Sequence, residues 1–90
     1  MAYVLGKTLY IKSFPYVADG TYCDCGNSVE FYWSEQVAEI EPLSPEKKLQ
    51  PGEEYTFTET WQLVPLAEEV TTFEQARALV DKAAAAVKAR

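Results

Sequence analysis

Ninety residues make one domain's worth of chain, 48% of it hydrophobic and rich in aromatics, with six Tyr, four Phe and two Trp to give large contact areas. The net charge is −6 and unevenly spread: residues 1–14 carry Lys7 and Lys12 with no acid, whereas residues 15–70 hold twelve acids against Lys47 and Lys48, an acidic centre that argues against nucleic acid as a partner. Histidine is absent, which excludes Ser-His and Cys-His nucleophiles, imidazole acid–base work and His metal ligation. No apolar run approaches the roughly 18–20 residues of a membrane span, and the start lacks a signal peptide's basic and apolar regions, so the expectation is a soluble cytoplasmic protein with no membrane contact and no cofactor.

In chain order, a first strand is expected over residues 3–12. Tyr3, Leu5, Leu9 and Ile11 take one face, Val4, Thr8 and Tyr10 the other, and Gly6 marks a bulge or a close backbone approach. Residues 14–20 are turn material and 22–27 an irregular loop. A second strand over 28–33 alternates Val29, Phe31 and Trp33 against Glu30 and Tyr32. It is followed across Ser34-Glu35 by a third over 36–41, so 28–41 reads as a hairpin. After a proline-rich loop, Pro51-Gly52 sets up a fourth strand with Tyr55, Phe57, Trp61 and Leu63 on one face and Thr56, Thr58, Thr60 and Gln62 on the other.

From Thr71 the periodicity changes. Phe73, Ala76, Val80, Ala83 and Val87 recur at three- and four-residue steps, and Leu79 widens the stripe. Thr71 and Glu74 form a capping-box pattern, while Lys88 and Arg90 suit the negative end of the dipole. A helix over about 72–88 follows, with Phe73, Leu79 and Val80 expected to be buried. The fold class is thus α+β: a single domain, residues 1–90, with a small antiparallel sheet of about four strands within 3–66 and one C-terminal amphipathic helix.

Taken together, Leu9-Tyr10-Ile11-Lys12, Phe14-Pro15-Tyr16, Tyr22 through Asp24, Gly26-Asn27, Val29-Glu30-Phe31-Tyr32, Glu39 through Pro45 and the Pro51-Gly52-Glu53 turn are similar to a known pattern. Residues 3–63 resemble the C-terminal end of the galactose mutarotase-like (aldose epimerase-like) β-supersandwich superfamily, nearest to its uncharacterised bacterial members. The resemblance implies a detached fragment of a β-sandwich. It also matches Glu30, twenty-one positions before Pro51, to the strand glutamate that serves the family as catalytic base. A full sandwich needs several times this length, and the family's histidines lie in the missing part, so epimerase activity is not carried over.

Each notable residue has a plain reading beside the functional one. Glu30 is a solvent-facing strand residue or a carboxylate accepting hydrogen bonds from sugar hydroxyls, with Tyr32 as stacking neighbour. The candidate ligand-binding set is Glu30, Tyr32, Trp33 and Lys12. Glu59 breaks the apolar face of its strand, as a guard against edge aggregation, an ion-pair partner of Lys7 or Lys12, or a ligand marker. Cys23 and Cys25 are ordinary thiols, since no Cys or His remains to complete a zinc set. One helix covers one face of a sheet that is apolar on both. The leading expectation is therefore a non-catalytic homo-oligomeric binding module, a dimer by preference. The alternatives are a carbohydrate-binding module and, behind it, an enzyme completed at a subunit interface.

Overall fold

A computed structural model describes residues 1–88; the expected dipole role of Arg90 lies outside the described residues. The elements are β1 (Ala2–Leu5), β2 (Thr8–Ser13), β3 (Val29–Trp33), β4 (Ala38–Pro42), β5 (Thr60–Pro65), α1 (Phe73–Arg77) and α2 (Val80–Lys88). The α+β class holds, with five strands in two small antiparallel sheets and the helical segment at the C-terminal end. The chain forms two compact units, one made of residues 1–13 with the chain from Thr60 onward, the other of Phe14–Glu59.

In the first unit the expected single strand over 3–12 is two strands and a turn. Gly6 adopts a φ of 58° while Lys7 stays out of the left-handed region, the pattern of a two-residue turn with glycine at its first position. Such a turn matches the right-handed twist of its flanking strands, so the chain reverses where a continuous strand had been expected. Hairpin pairing then reassigns the faces. Tyr3 lies opposite Tyr10 and Leu5 opposite Thr8, whereas Val4 joins Leu9. Tyr3 and Leu5 therefore leave the face of Leu9 and Ile11. β5 pairs antiparallel with β2, setting Leu9 opposite Val64, Ile11 opposite Gln62 and Lys12 opposite Trp61, and the sheet order is β1-β2-β5.

Leu9 and Ile11 are 3% and 2% exposed and form the centre of this unit. The helical segment lies over them. Thr72 caps α1 by accepting from the Gln75 N–H, and the Gln75 Oε1 accepts from the Thr72 N–H, so the capping box sits one residue beyond the Thr71–Glu74 pattern. The helix is interrupted after Arg77, where the Leu79 N–H reaches back three residues to the Ala76 carbonyl. Ala76, Leu79, Ala83, Ala86 and Val87 are half-buried, and the Gln62 Nε2 donates to the Ala86 carbonyl at 3.4 Å. Phe73 and Val80 are instead 73% and 62% exposed, contrary to the sequence expectation. The tightened turn at Leu79 places the alanines against the sheet, where small side chains allow close approach, and leaves the larger residues on the flank.

The second unit holds the β3–β4 hairpin, paired from Val29 opposite Pro42 to Trp33 opposite Ala38. Its connection is longer than Ser34-Glu35. The Ser34 N–H donates to the Val37 carbonyl, and the Ser34 Oγ accepts from the Gln36 and Val37 N–H groups, so β4 starts at Ala38. Tyr22 is the buried anchor, 7% exposed; its ring stacks on Tyr16 at 5.5 Å and its hydroxyl accepts from the Val17 N–H. The Pro51-Gly52 turn forms, with Gly52 at a φ of 89° and the Glu53 N–H bonded to the Gln50 carbonyl. The strand expected after it begins only at Thr60. Tyr55 carries the Lys47 ammonium 5.0 Å from its ring centre and Phe57 meets Phe14 at 6.3 Å, so these aromatics anchor an extended loop rather than a ladder.

Ile11→Ala removes the most enclosed aliphatic side chain and should cost about 2–5 kcal/mol by chemical denaturation. Gly6→Ala meets no neighbouring atom within 4 Å, so its expected loss of about 1–2 kcal/mol isolates the left-handed backbone requirement. A Gly6→Ala chain as stable as the parent would refute that account of the turn.

Candidate functional site

Two surfaces carry the chemistry. The first is one face of the β3–β4 ribbon, where Glu30 stands opposite Glu41 and Tyr32 opposite Glu39. Directly opposed like charges destabilise a strand pair, so this arrangement is costly on its own terms. Glu30 is half-buried, and its Oε1 is enclosed with no hydrogen-bond partner. Tyr32, two residues on, is 53% exposed. Three carboxylates and a phenol make a surface of acceptors with one donor, suited to hydroxyl or ammonium groups.

Of the four residues singled out from the sequence, the structure brings together Glu30 and Tyr32. Trp33 points to the other side of the ribbon with Phe31 and Val29, opposite Ala38, and is 76% exposed. Lys12 belongs to the first unit, where its ammonium lies 5.4 Å from the centre of the Trp61 ring. Glu59 is half-buried and ends the second unit just ahead of β5, so it is not a strand residue facing the sheet.

The second surface is the face of the three-stranded sheet turned away from the helix. It carries Tyr3, Leu5, Tyr10, Lys12, Trp61 and Leu63, with Leu5, Trp61 and Leu63 at 71%, 63% and 70% exposure. Tyr10 meets Trp61 edge to face at 5.8 Å, and a shallow depression of about 300 Å³ lies among Tyr3, Leu5, Thr8, Tyr10 and Leu63. Reading residues 3–12 as one strand put Tyr3 and Leu5 on the face of Leu9 and Ile11 and so mis-assigned the residues of this face. Gly6-Lys7 between two short alternating runs was the signal for it, since Gly followed by another residue is a two-residue hairpin turn.

Cys23 and Cys25 are free and exposed, in a turn where Cys25 takes a φ of 54°. Among the described residues no group of three or more His, Cys, Asp or Glu side chains is placed to hold a metal ion, and no helix is long and apolar enough to cross a membrane. Comparison with protein-family models, curated proteins and solved structures finds no match for the chain.

Glu30→Gln removes one of the two opposed charges and should stabilise the chain by about 0.2–1 kcal/mol at low salt, a gain that shrinks as ionic strength rises. Denaturation at two salt concentrations checks both parts. Lower stability at low salt would mean that the carboxylate holds something the repulsion argument omits.

Proposed function

We propose that the chain is a non-catalytic interaction module that associates with a second copy of itself, a detached piece of a mutarotase-like sandwich whose missing layers are supplied by another chain. The observation that carries this reading is the shortage of burial. Among the described residues the buried apolar side chains are Leu9 and Ile11 in one unit and Tyr22 and Pro45 in the other. Against these, Leu5, Trp61 and Leu63 in the first unit are 71%, 63% and 70% exposed, and Phe31 and Trp33 in the second are 57% and 76% exposed. The proposed setting is a bacterial cytoplasm, a reading supported by the resemblance and by the free thiols of Cys23 and Cys25.

Sedimentation velocity across the micromolar range should give a species of twice the 10.1 kDa chain mass, with the monomer appearing on dilution. A single monomer mass at every concentration refutes the proposal.

A second reading, carbohydrate binding on the Glu30/Tyr32 face, is favoured by the enclosed and unpartnered Glu30 oxygen beside an exposed tyrosine. Titration with neutral monosaccharides should then change the intrinsic fluorescence, because Trp33 adjoins Tyr32 in β3, and Glu30→Gln should abolish the change. Flat titrations up to millimolar sugar would remove this reading.

A further inference from the structure

We infer that the second copy joins through β1, strand against strand across a twofold axis, making one continuous six-stranded sheet from two three-stranded ones. The inference rests on the self-association reading and specifies its surface. It begins with the hydrogen-bond alternation of β1. Met1 and Lys12 exchange both backbone bonds, at 2.9 and 2.8 Å. In an antiparallel pair such exchanges recur at every second residue, so Tyr3 and Leu5 bond to β2 while Ala2 and Val4 turn their N–H and C=O groups the other way. β1 is the last strand in its sheet, so those groups line an open edge.

Natural sheets guard such edges with charges, prolines or bulges. β1 reads Ala-Tyr-Val-Leu, has no charge or proline, and its register with β2 is unbroken. The opposite edge differs, since β5 ends in Pro65, which has no N–H to offer.

The surroundings of the edge are apolar on both sides of the sheet. On the open face stand Tyr3, 39% exposed, and Leu5. On the helix side a groove of about 170 Å³ lies between Ala2 and Val4 on the strand and Ala76, Leu79, Val80 and Ala83 on the helical segment. Val80 lines this groove while 62% exposed. Its exposure is relieved when a second strand and helix extend the layer.

Antiparallel self-pairing fixes the geometry. Ala2 of each copy exchanges bonds with Val4 of the other, and Tyr3 lies on the axis opposite Tyr3 of the partner. The competing arrangement stacks the open faces of two sheets. That would leave the β1 edge unpaired.

Sedimentation of three full-length variants decides the matter, with circular dichroism to check folding. Tyr3→Lys sets two ammonium groups across the axis, and Ala2→Pro removes an N–H that the hairpin does not use. Each should raise the dimer dissociation constant about tenfold or more, while Leu63→Lys on the open face should leave it within about threefold. The wild-type Val4 amide should exchange with deuterium more slowly as protein concentration rises. A dimer that survives both β1 variants and is lost in Leu63→Lys overturns the edge arrangement and leaves self-association standing. A monomeric wild type overturns both. Should Tyr3→Lys fail to fold, a Val4 amide that exchanges at one rate in monomer and dimer overturns the inference by itself.

Discussion

The two-residue turn at Gly6 and Lys7 is the constraint on which the first unit depends. Side chains alternate strictly along a strand, so where the chain reverses decides which residues share a face. With the reversal at this turn, Val4 joins Leu9, and Tyr3 and Leu5 join Tyr10. The face of Val4, Leu9, Ile11 and Val64 is aliphatic and receives the helical segment; the face of Tyr3, Leu5, Trp61 and Leu63 is aromatic and aliphatic and receives nothing within this unit. A one-residue slip would exchange the two. The positive φ of Gly6 therefore governs the burial of residues well beyond the turn.

The helical segment completes only the aliphatic face, and the way it does so follows from its composition. An alanine-rich stripe permits close approach to the sheet but contributes little apolar area per residue. None of its residues is fully buried, and its large side chains, Phe73 and Val80, stand on the exposed side. The helix behaves as a thin cover rather than as half of a core. The unit consequently buries few large side chains, and its stability draws heavily on the backbone ladders.

Much of this was legible in the sequence, and the misses share a cause. The strand expected over 28–33 is found as Val29–Trp33 and the helix expected from about residue 72 starts at Phe73; the Pro51-Gly52 turn and the apolar character of both sheet faces, which follow from local periodicity and turn chemistry, are also present. Periodicity does not, however, say where a ladder finds a partner. Residues 55–59 alternate as a strand should, yet Tyr55 and Phe57 pack on Lys47 and Phe14, and pairing with β2 begins at Thr60. The stripe of α1 and α2 held at Ala76, Leu79, Ala83 and Val87, which are half-buried, and failed at Phe73 and Val80, which are exposed. At the candidate site the sequence identified Glu30 and Tyr32 as neighbours on one face, which register confirms. It gave no means of knowing that Glu41 stands opposite Glu30, a fact set by the length of the Ser34–Val37 connection.

Both units depart from the rules that make a sequence consistent with its fold, and such departures concentrate where function is. In the first, an aliphatic strand edge is left without the charge, proline or bulge that would guard it. In the second, opposed carboxylates share a face and one of their oxygens is enclosed without a donor. The two call for different complements. An open ladder edge is satisfied by another backbone, because backbone N–H and C=O groups at strand spacing are what it lacks. An enclosed carboxylate oxygen is satisfied by a single small donor, a hydroxyl or ammonium group. Association of chains through β1 thus leaves the question of a ligand at Glu30 open to its own test, and a sugar bound there would contribute nothing to closing the β1 edge. Of these departures, the edge bears on the larger apolar surface: it is bordered by Tyr3, Leu5 and Val80, whose apolar area water opposes, whereas the repulsion of a half-buried Glu30 and an exposed Glu41 is partly relieved by salt.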